Sequence, residues 1–308
     1  MIPYIHIPDL HIGPVPLHPF GVLVATGVLV GTSLTTWRAR KLGYDLAALN
    51  SFITWMLVTG FVLSHVLDYL FYHWREVVER PWSLLMVWEG LSSFGGFIGA
   101  VVGVLLWKYL DVEKSPLRWR KAPYPILPFT DLCISVFPVG WMFGRMGCAS
   151  VHDHPGARAT AETLLAVAYP KWPGDGSVTH VGFIEFIVGH DPRYDLGFLE
   201  LLFTIVLASA LALTWRRKLT IGTYAAVVSL AYAPVRFTMD FFRVPESAGG
   251  DSRYGGLTPA QWCCFVLFIY GAAMVWYVRQ VRVRGLDLAV LVRDLSSRVE
   301  DKPASPGA

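Results

Sequence analysis

The sequence predicts an all-α integral membrane protein with seven transmembrane helices. It also predicts an outside N-terminus, a cytoplasmic C-terminus and an external flap between helices four and five. Three observations predict this. Hydrophobic residues are 54% of the 308 and charged residues only 16%, where soluble domains carry about 25% charged. Seven apolar runs approach the ~20 residues needed to cross a bilayer. Lys/Arg clusters follow every second run, the pattern of cytoplasmic loops. The same composition excludes a disordered chain, a nucleic-acid-binding arm and most soluble enzymes.

The elements follow in order. Met1–His18 holds Pro3, Pro8, Pro14 and Pro16 and no Lys or Arg. It lacks the basic start of a signal peptide and reads as an irregular segment at the membrane surface. The spans are Phe20–Trp37, Leu46–Tyr72, Phe94–Tyr109, Leu127–Arg145, Gly197–Trp215, Ile221–Phe242 and Ala260–Val278. The fourth contains Asp131, Pro138 and Arg145, which a bundle tolerates where neighbours satisfy the freed groups. Arg38, Arg40 and Lys41 follow the first span. Lys108, Lys114, Arg118, Arg120 and Lys121 follow the third, Arg216, Arg217 and Lys218 the fifth, and Arg279, Arg282 and Arg284 the seventh. These clusters share the cytoplasmic side. The domain reading is therefore a membrane domain over 1–285, with 146–196 as the flap. Residues 286–308 form a cytoplasmic tail whose short helix frays. The four cysteines, Cys133, Cys148, Cys263 and Cys264, make no CxxC pair, so no zinc ribbon or dithiol site is signalled.

Charges inside spans are costly and mark candidate sites. His65 and Asp68 share a face of span two, and Glu200 sits near the outer end of span five. Arg236, Asp240 and Arg243 are spaced four and three apart on span six, and so share a face. Two readings stand: ion pairs that hold the bundle, or a cluster at one external depth where Arg145, Glu200, Asp240 and Arg243 converge. Arginine forks bind phosphate oxygens and stay charged, so the second reading suits a phospholipid headgroup. Gly95, Gly99 and Gly103 form a doubled GxxxG, which signals helix–helix contact; the other reading opens the Gly95–Gly96 backbone to a lipid cleft. His152, Asp153 and His154 follow Cys148 at loose spacing without a second ligand pair, so no metal site is expected.

Gly144-Arg145-Met146-Gly147-Cys148 resembles the Gly-Arg-x-Gly-Asn core of the prolipoprotein diacylglyceryl transferase family. The resemblance runs through nearly the whole chain. Gly13-Pro14-Val15-Pro16-Leu17-His18-Pro19-Phe20-Gly21 resembles the family's entry to the first span. Trp88-Glu89-Gly90-Leu91-Ser92-Ser93-Phe94-Gly95-Gly96 resembles its Gly-x-Ser-Phe-His-Gly-Gly segment. Leu127-Pro128-Phe129-Thr130-Asp131 carries its span-four aspartate. The run from Arg236 to Glu246 resembles Arg-x3-Glu-Phe-Phe-Arg-x-Pro-Asp.

The resemblance implies transfer of a diacylglyceryl group from phosphatidylglycerol to the lipobox cysteine thiol of preprolipoprotein signal peptides. It places the reaction at the outer leaflet of the bacterial inner membrane, with release of glycerol phosphate and no metal or soluble cofactor. Arg145 and Arg236 then stabilise the leaving phosphate, with Arg243 and Asp240 orienting them. Asp131, Glu200, Gly95, Gly96 and His18 complete the expected substrate-binding set, and His65 is a candidate base. Some positions depart from the family pattern. Phe94 replaces the family histidine, Cys148 the asparagine and His65 the span-two arginine, while Asp153 stands at the family's acid. Three readings stay open. His65, His152 or His154 supplies the base, the cationic pocket alone activates the thiol, or the chain is an altered or non-catalytic paralogue that binds phospholipid or signal peptides.

Overall fold

The structure is a computed structural model that describes residues 1–13, 15–86, 90, 92–111, 118–119, 125–244 and 253–284. The expected cytoplasmic tail, Trp88-Glu89 and the end of the span-six run at Pro245-Glu246 lie outside the described residues, as does the Phe94 side chain. The helices are α1 (Pro19–Leu42), α2 (Leu46–Tyr72), α3 (Trp74–Glu79), α4 (Ser93–Tyr109), α5 (Ile126–Val151), α6 (Leu196–Thr214), α7 (Thr223–Met239) and α8 (Pro259–Arg284). The strands are β1 (Ile2–His6), β2 (Leu10–Ile12), β3 (Val15–Leu17), β4 (Leu110–Asp111), β5 (Arg118–Trp119), β6 (Pro155–Arg158), β7 (Ala166–Tyr169), β8 (Ser177–Val181), β9 (Ile184–Val188) and β10 (Asp191–Asp195).

Each apolar run is helical. Among the described residues, five helices are long and apolar enough to cross a membrane: Pro19–Leu42, Leu46–Phe71, Ile126–Val151, Leu196–Thr214 and Pro259–Arg284. The third and sixth runs form helices of 17 residues, about 26 Å at 1.5 Å per residue. The chain is thus mostly helical and not all-α, because a six-stranded sheet is present in the order β6-β10-β7-β1-β9-β8. The N-terminal stretch is not irregular. β1 runs parallel to β7 through Ile2 and Val167 and antiparallel to β9 through Tyr4 and Ile187. Pairing across the chain is non-local, and the prolines of Met1–His18 concealed it. The fourth helix does not stop at Arg145 but continues to Val151, with Pro138 inside it.

The chain divides into two compact units. One comprises Met1–Leu34 and Cys133–Arg284, and the other includes Thr35–Leu132. In the second, Asp45 caps α2 by accepting from Ala47 N and Ala48 N at 2.8 and 3.1 Å, satisfying two of the orphan amides at the helix start. The α4 glycines set its contact with α2. A Cβ on Gly95 would stand 2.6 Å from Leu63 O, one on Gly99 2.8 Å from Gly60 Cα, and one on Gly103 2.9 Å from Met56 Cα. Phe52 packs on Trp107 and Phe129 at centroid distances of 5.0 and 5.6 Å.

In the first unit, a Cβ on Gly27 would meet Gly140 O at 2.6 Å, so α1 and α5 cross closely. Leu207, Leu211 and Tyr224 form a buried core between α6 and α7. The whole of β7 is buried, while β8 is an exposed edge strand. Thr258 and Gln261 form a capping box at the start of α8. Gln261 N donates to Thr258 Oγ1 at 3.2 Å and Thr258 N to Gln261 Oε1 at 3.0 Å, with Pro259 at the first helical position.

Candidate functional site

Helical spacing assembles the site in the first unit. On α5, Trp141, Arg145 and Cys148 are four and three residues apart and share a face. On α7 and the 3-10 turn Asp240–Phe242, the residues Tyr232, Arg236, Asp240 and Arg243 repeat at the same spacing. α6 brings Glu200 to both.

Glu200 is the hub and is buried. Its Oε1 accepts from Trp141 Nε1 at 3.2 Å and from the Tyr232 hydroxyl. Arg145 Nε lies 2.9 Å from the same oxygen, and Arg236 Nε lies 3.8 Å from Oε2. Asp240 is fully buried. It pairs with Arg236 Nη1 and, at 3.1 Å, with Arg243 Nε, and it accepts from the Thr258 hydroxyl. Buried carboxylates cost several kcal/mol each unless paired this fully. Three guanidinium groups face two carboxylates, leaving one formal positive charge.

Arg145 is the group set for a ligand. Its guanidinium stacks over the Trp141 ring at 4.6 Å, and Nη1 donates to Cys148 Sγ at 3.7 Å. Nε is close to Glu200 yet out of line for a hydrogen bond, and it is buried without an acceptor. A buried unsatisfied donor is costly, and an anionic oxygen would satisfy it.

The small sheet holds both sides of this site. Asp195 caps α6 by accepting from Phe198 N at 2.9 Å. It also bonds the ring of His152 and accepts from Tyr169 OH at 2.9 Å. The other His152 nitrogen faces Ile5 O at 3.1 Å, and Tyr4 stacks on the ring at 3.8 Å. Burial first, then the Asp195 charge, pushes the Tyr4 and Tyr169 phenols up, so both stay protonated. Thus the end of α5, the start of α6 and the N-terminal strand meet at one buried carboxylate.

Of the expected residues, Arg145, Glu200, Arg236, Asp240 and Arg243 come together. His18 is exposed and pairs with Asp9 at 2.8 Å. Asp131, His65, Gly95 and Gly96 belong to the second unit. There His65 is fully buried, its ring nitrogens 3.2 Å from Gly90 O and 3.0 Å from Ser83 O. That geometry ties α2 to Ser83 and Gly90, and both nitrogens face carbonyl oxygens. Gly95 packs on α2 and does not open a cleft there. A surface cavity of about 340 Å³ in the second unit, lined by Phe71, His73, Trp74, Arg75 and Glu76, holds none of the expected residues. Sequence reasoning missed Trp141, Tyr232 and Thr258. The first two stand four residues before Arg145 and Arg236, and that spacing was the signal available.

Fold and site together define an integral membrane protein with a buried, net-positive arginine cluster. The model of one family, prolipoprotein diacylglyceryl transferase, matches residues 9–277. The chain belongs to that family. It is 26% identical over 276 residues to a phosphatidylglycerol–prolipoprotein diacylglyceryl transferase of Acinetobacter baumannii, covering 89% of this chain and 93% of the relative. Proteins of the same description from Acinetobacter baylyi and Allorhizobium ampelinum are also 26% identical. They cover 89% and 91% of this chain and 92% and 93% of their own length.

Proposed function

We infer that this chain is a transferase that moves the diacylglyceryl group of phosphatidylglycerol to the cysteine thiol of a prolipoprotein, a step of lipoprotein maturation. The observation that carries the reading is Arg145, a buried guanidinium with a donor out of line from Glu200, inside a cluster with one excess positive charge. Arg145 and Arg236 hold the headgroup phosphate. As the glyceryl C–O bond breaks, charge gathers on the phosphate oxygens, and fixed guanidiniums stabilise it without reorganising. Arg243, Asp240 and Glu200 hold the two arginines in place. Asp131, Gly96 and His18 keep outer substrate-contact roles in this reading, and His65 anchors the carbonyls of Ser83 and Gly90.

All seven apolar helices span the bacterial inner membrane. The N-terminus lies outside, where β1 shares a sheet with the strands of 155–195, so both lie on one side of the membrane. Residues 1–285 act as the membrane domain and 286–308 as a cytoplasmic tail. The non-catalytic paralogue is not favoured, because the family match runs through residues 9–277 and the arginines and carboxylates of α5, α6 and α7 come together in one buried cluster.

The test uses purified protein in detergent with phosphatidylglycerol and a synthetic lipobox peptide, followed by mass spectrometry. A diacylglyceryl mass increment, lost in Arg145→Ala and Arg236→Ala, is expected. An inert wild-type protein that still binds phosphatidylglycerol, beside an active relative in the same assay, would return the paralogue reading.

A further inference from the structure

Three donors compete for one oxygen at the centre of the arginine cluster. Glu200 Oε1 accepts from Trp141 Nε1 at 3.2 Å and from the Tyr232 hydroxyl, and Arg145 Nε stands 2.9 Å from the same atom. A carboxylate oxygen offers two lone pairs. The indole and the phenol take both. Arg145 Nε is left off line, buried and without an acceptor among the described residues. The arginine sits beside its counter-charge while its strongest hydrogen bond stays unmade. Its Nη1 donates to Cys148 Sγ at 3.7 Å, and sulfur is a weak acceptor.

We propose that Trp141 is a positioning residue that keeps the Arg145 guanidinium uncommitted, so that its Nε–H is open to a phosphate oxygen. The identity of that ligand, a phospholipid phosphate, rests on the transferase reading; the competition for Glu200 Oε1 does not. Trp141 acts on Arg145 twice. Its Nε1–H occupies the oxygen that Arg145 would otherwise use. Its ring lies against the guanidinium, 4.6 Å from ring centroid to Arg145 Cζ, and so sets the plane in which the arginine donates. Phe137, one turn earlier on α5, stacks on the indole at 5.3 Å and holds it in turn. An aliphatic residue at 141 would suit an apolar span as well and would do neither.

The sign of the effect separates this role from packing. A well-made Arg145–Glu200 bond would be charge-assisted, stronger than the indole bond it displaces. It would stabilise the empty protein, and an incoming phosphate would have to break it. With Trp141 on Glu200, the open donor costs stability before the ligand arrives and is satisfied when it does. Removing the indole N–H should therefore leave the empty protein as stable or more so, and weaken its grip on phosphate. A Trp141 that merely fills space predicts the opposite: lower stability, and equal losses for ligands with and without a phosphate.

The test compares wild type and Trp141→Phe as full chains in detergent. Phenylalanine keeps an aromatic face for Arg145 and drops the N–H. The melting midpoint of the lipid-free variant should match or exceed wild type. Its Kd for phosphatidylglycerol should rise about tenfold, the loss expected when one charge-assisted bond must be broken first. Its Kd for diacylglycerol, which has no phosphate, should not change. In the transfer assay KM should rise by a larger factor than kcat falls. Trp172→Phe, at an exposed loop position, should change none of these. Should the smaller ring lower the midpoint by leaving a cavity, benzothienylalanine in place of Trp141 keeps the indole shape without the N–H and carries the same comparison. Wild-type phosphatidylglycerol affinity without the N–H overturns the proposal, as does equal weakening for phosphatidylglycerol and diacylglycerol. A wild-type chain that shows the Trp141-dependent lipid affinity but no transfer, beside an active relative, counts against the transferase reading and leaves this proposal standing.

Discussion

Arg145 and Glu200, brought together from α5 and α6, stand 2.9 Å apart at the centre of the buried cluster. Glu200 pairs with both Arg145 and Arg236. Its removal leaves two buried guanidiniums without that counter-charge, and breaking a buried pair costs about 3–5 kcal/mol. Glu200→Ala should lower the thermal midpoint in detergent and reduce transfer at least 100-fold. Glu200→Gln keeps an acceptor for Trp141 and Tyr232, so it should recover stability more than activity. A Glu200→Ala protein with wild-type melting and turnover would sink the hub assignment.

How much of this was legible depends on the range of the interaction. The helices follow from apolar run length. The alignment of Arg236, Asp240 and Arg243 follows from spacing along one helix. The GxxxG contact of Gly95, Gly99 and Gly103 was equally local, although its partner α2 was not named. Tyr232 and Trp141 were invisible because an aromatic residue in an apolar span signals nothing until its acceptor is known. Strand β1 was hidden for a related reason: its pairing depends on residues about 160–185 positions away. The shared depth of Glu200, Arg145, Asp240 and Arg243 is legible in the sequence, but which groups Glu200 bonds is not, because its four partners come from two other helices.

Thr258 serves two masters. Its hydroxyl accepts from Gln261 N in the capping box and donates to Asp240. Thr258→Val keeps the shape and removes both bonds. An unsatisfied buried carboxylate oxygen and a lost cap should together cost about 1–3 kcal/mol. The measurable consequence is a lower melting midpoint, with a larger loss in phosphatidylglycerol affinity than a surface Thr179→Val control shows. Equal behaviour of the two variants would mean that Asp240 does not depend on Thr258.

Gly99 tests the α2–α4 contact. A Cβ there would stand 2.8 Å from Gly60 Cα, which is backbone and cannot swing away. Gly99→Ala should therefore destabilise by about 1–3 kcal/mol, the usual cost of overpacking, despite alanine's better helix propensity. Gly21→Ala, with nothing within 4 Å of its Cβ, should be neutral or slightly stabilising. Differential scanning fluorimetry of the two variants reads the contrast, and a Gly99→Ala midpoint at or above wild type would contradict the packing.

The small sheet should carry its own acid sensitivity through Asp175. Its carboxylate accepts from Lys171 N at 2.9 Å, from His190 N at 3.1 Å and from the His190 ring at 2.6 Å. The Lys171 amide, followed by the His190 contacts, holds its pKa down to about 2, against the opposing effect of burial. An unfolded Asp titrates near 3.9. The folded value is the lower one, so between the two values the unfolded state binds more protons and stability rises with pH. The contribution is present above about pH 4 and is lost as pH falls toward about 2. Asp175→Asn cannot titrate, so its melting midpoint should fall less steeply than wild type across that window, while the two curves run parallel above about pH 5. Parallel curves through the whole range would show that the Lys171 and His190 bonds do not favour the ionised carboxylate.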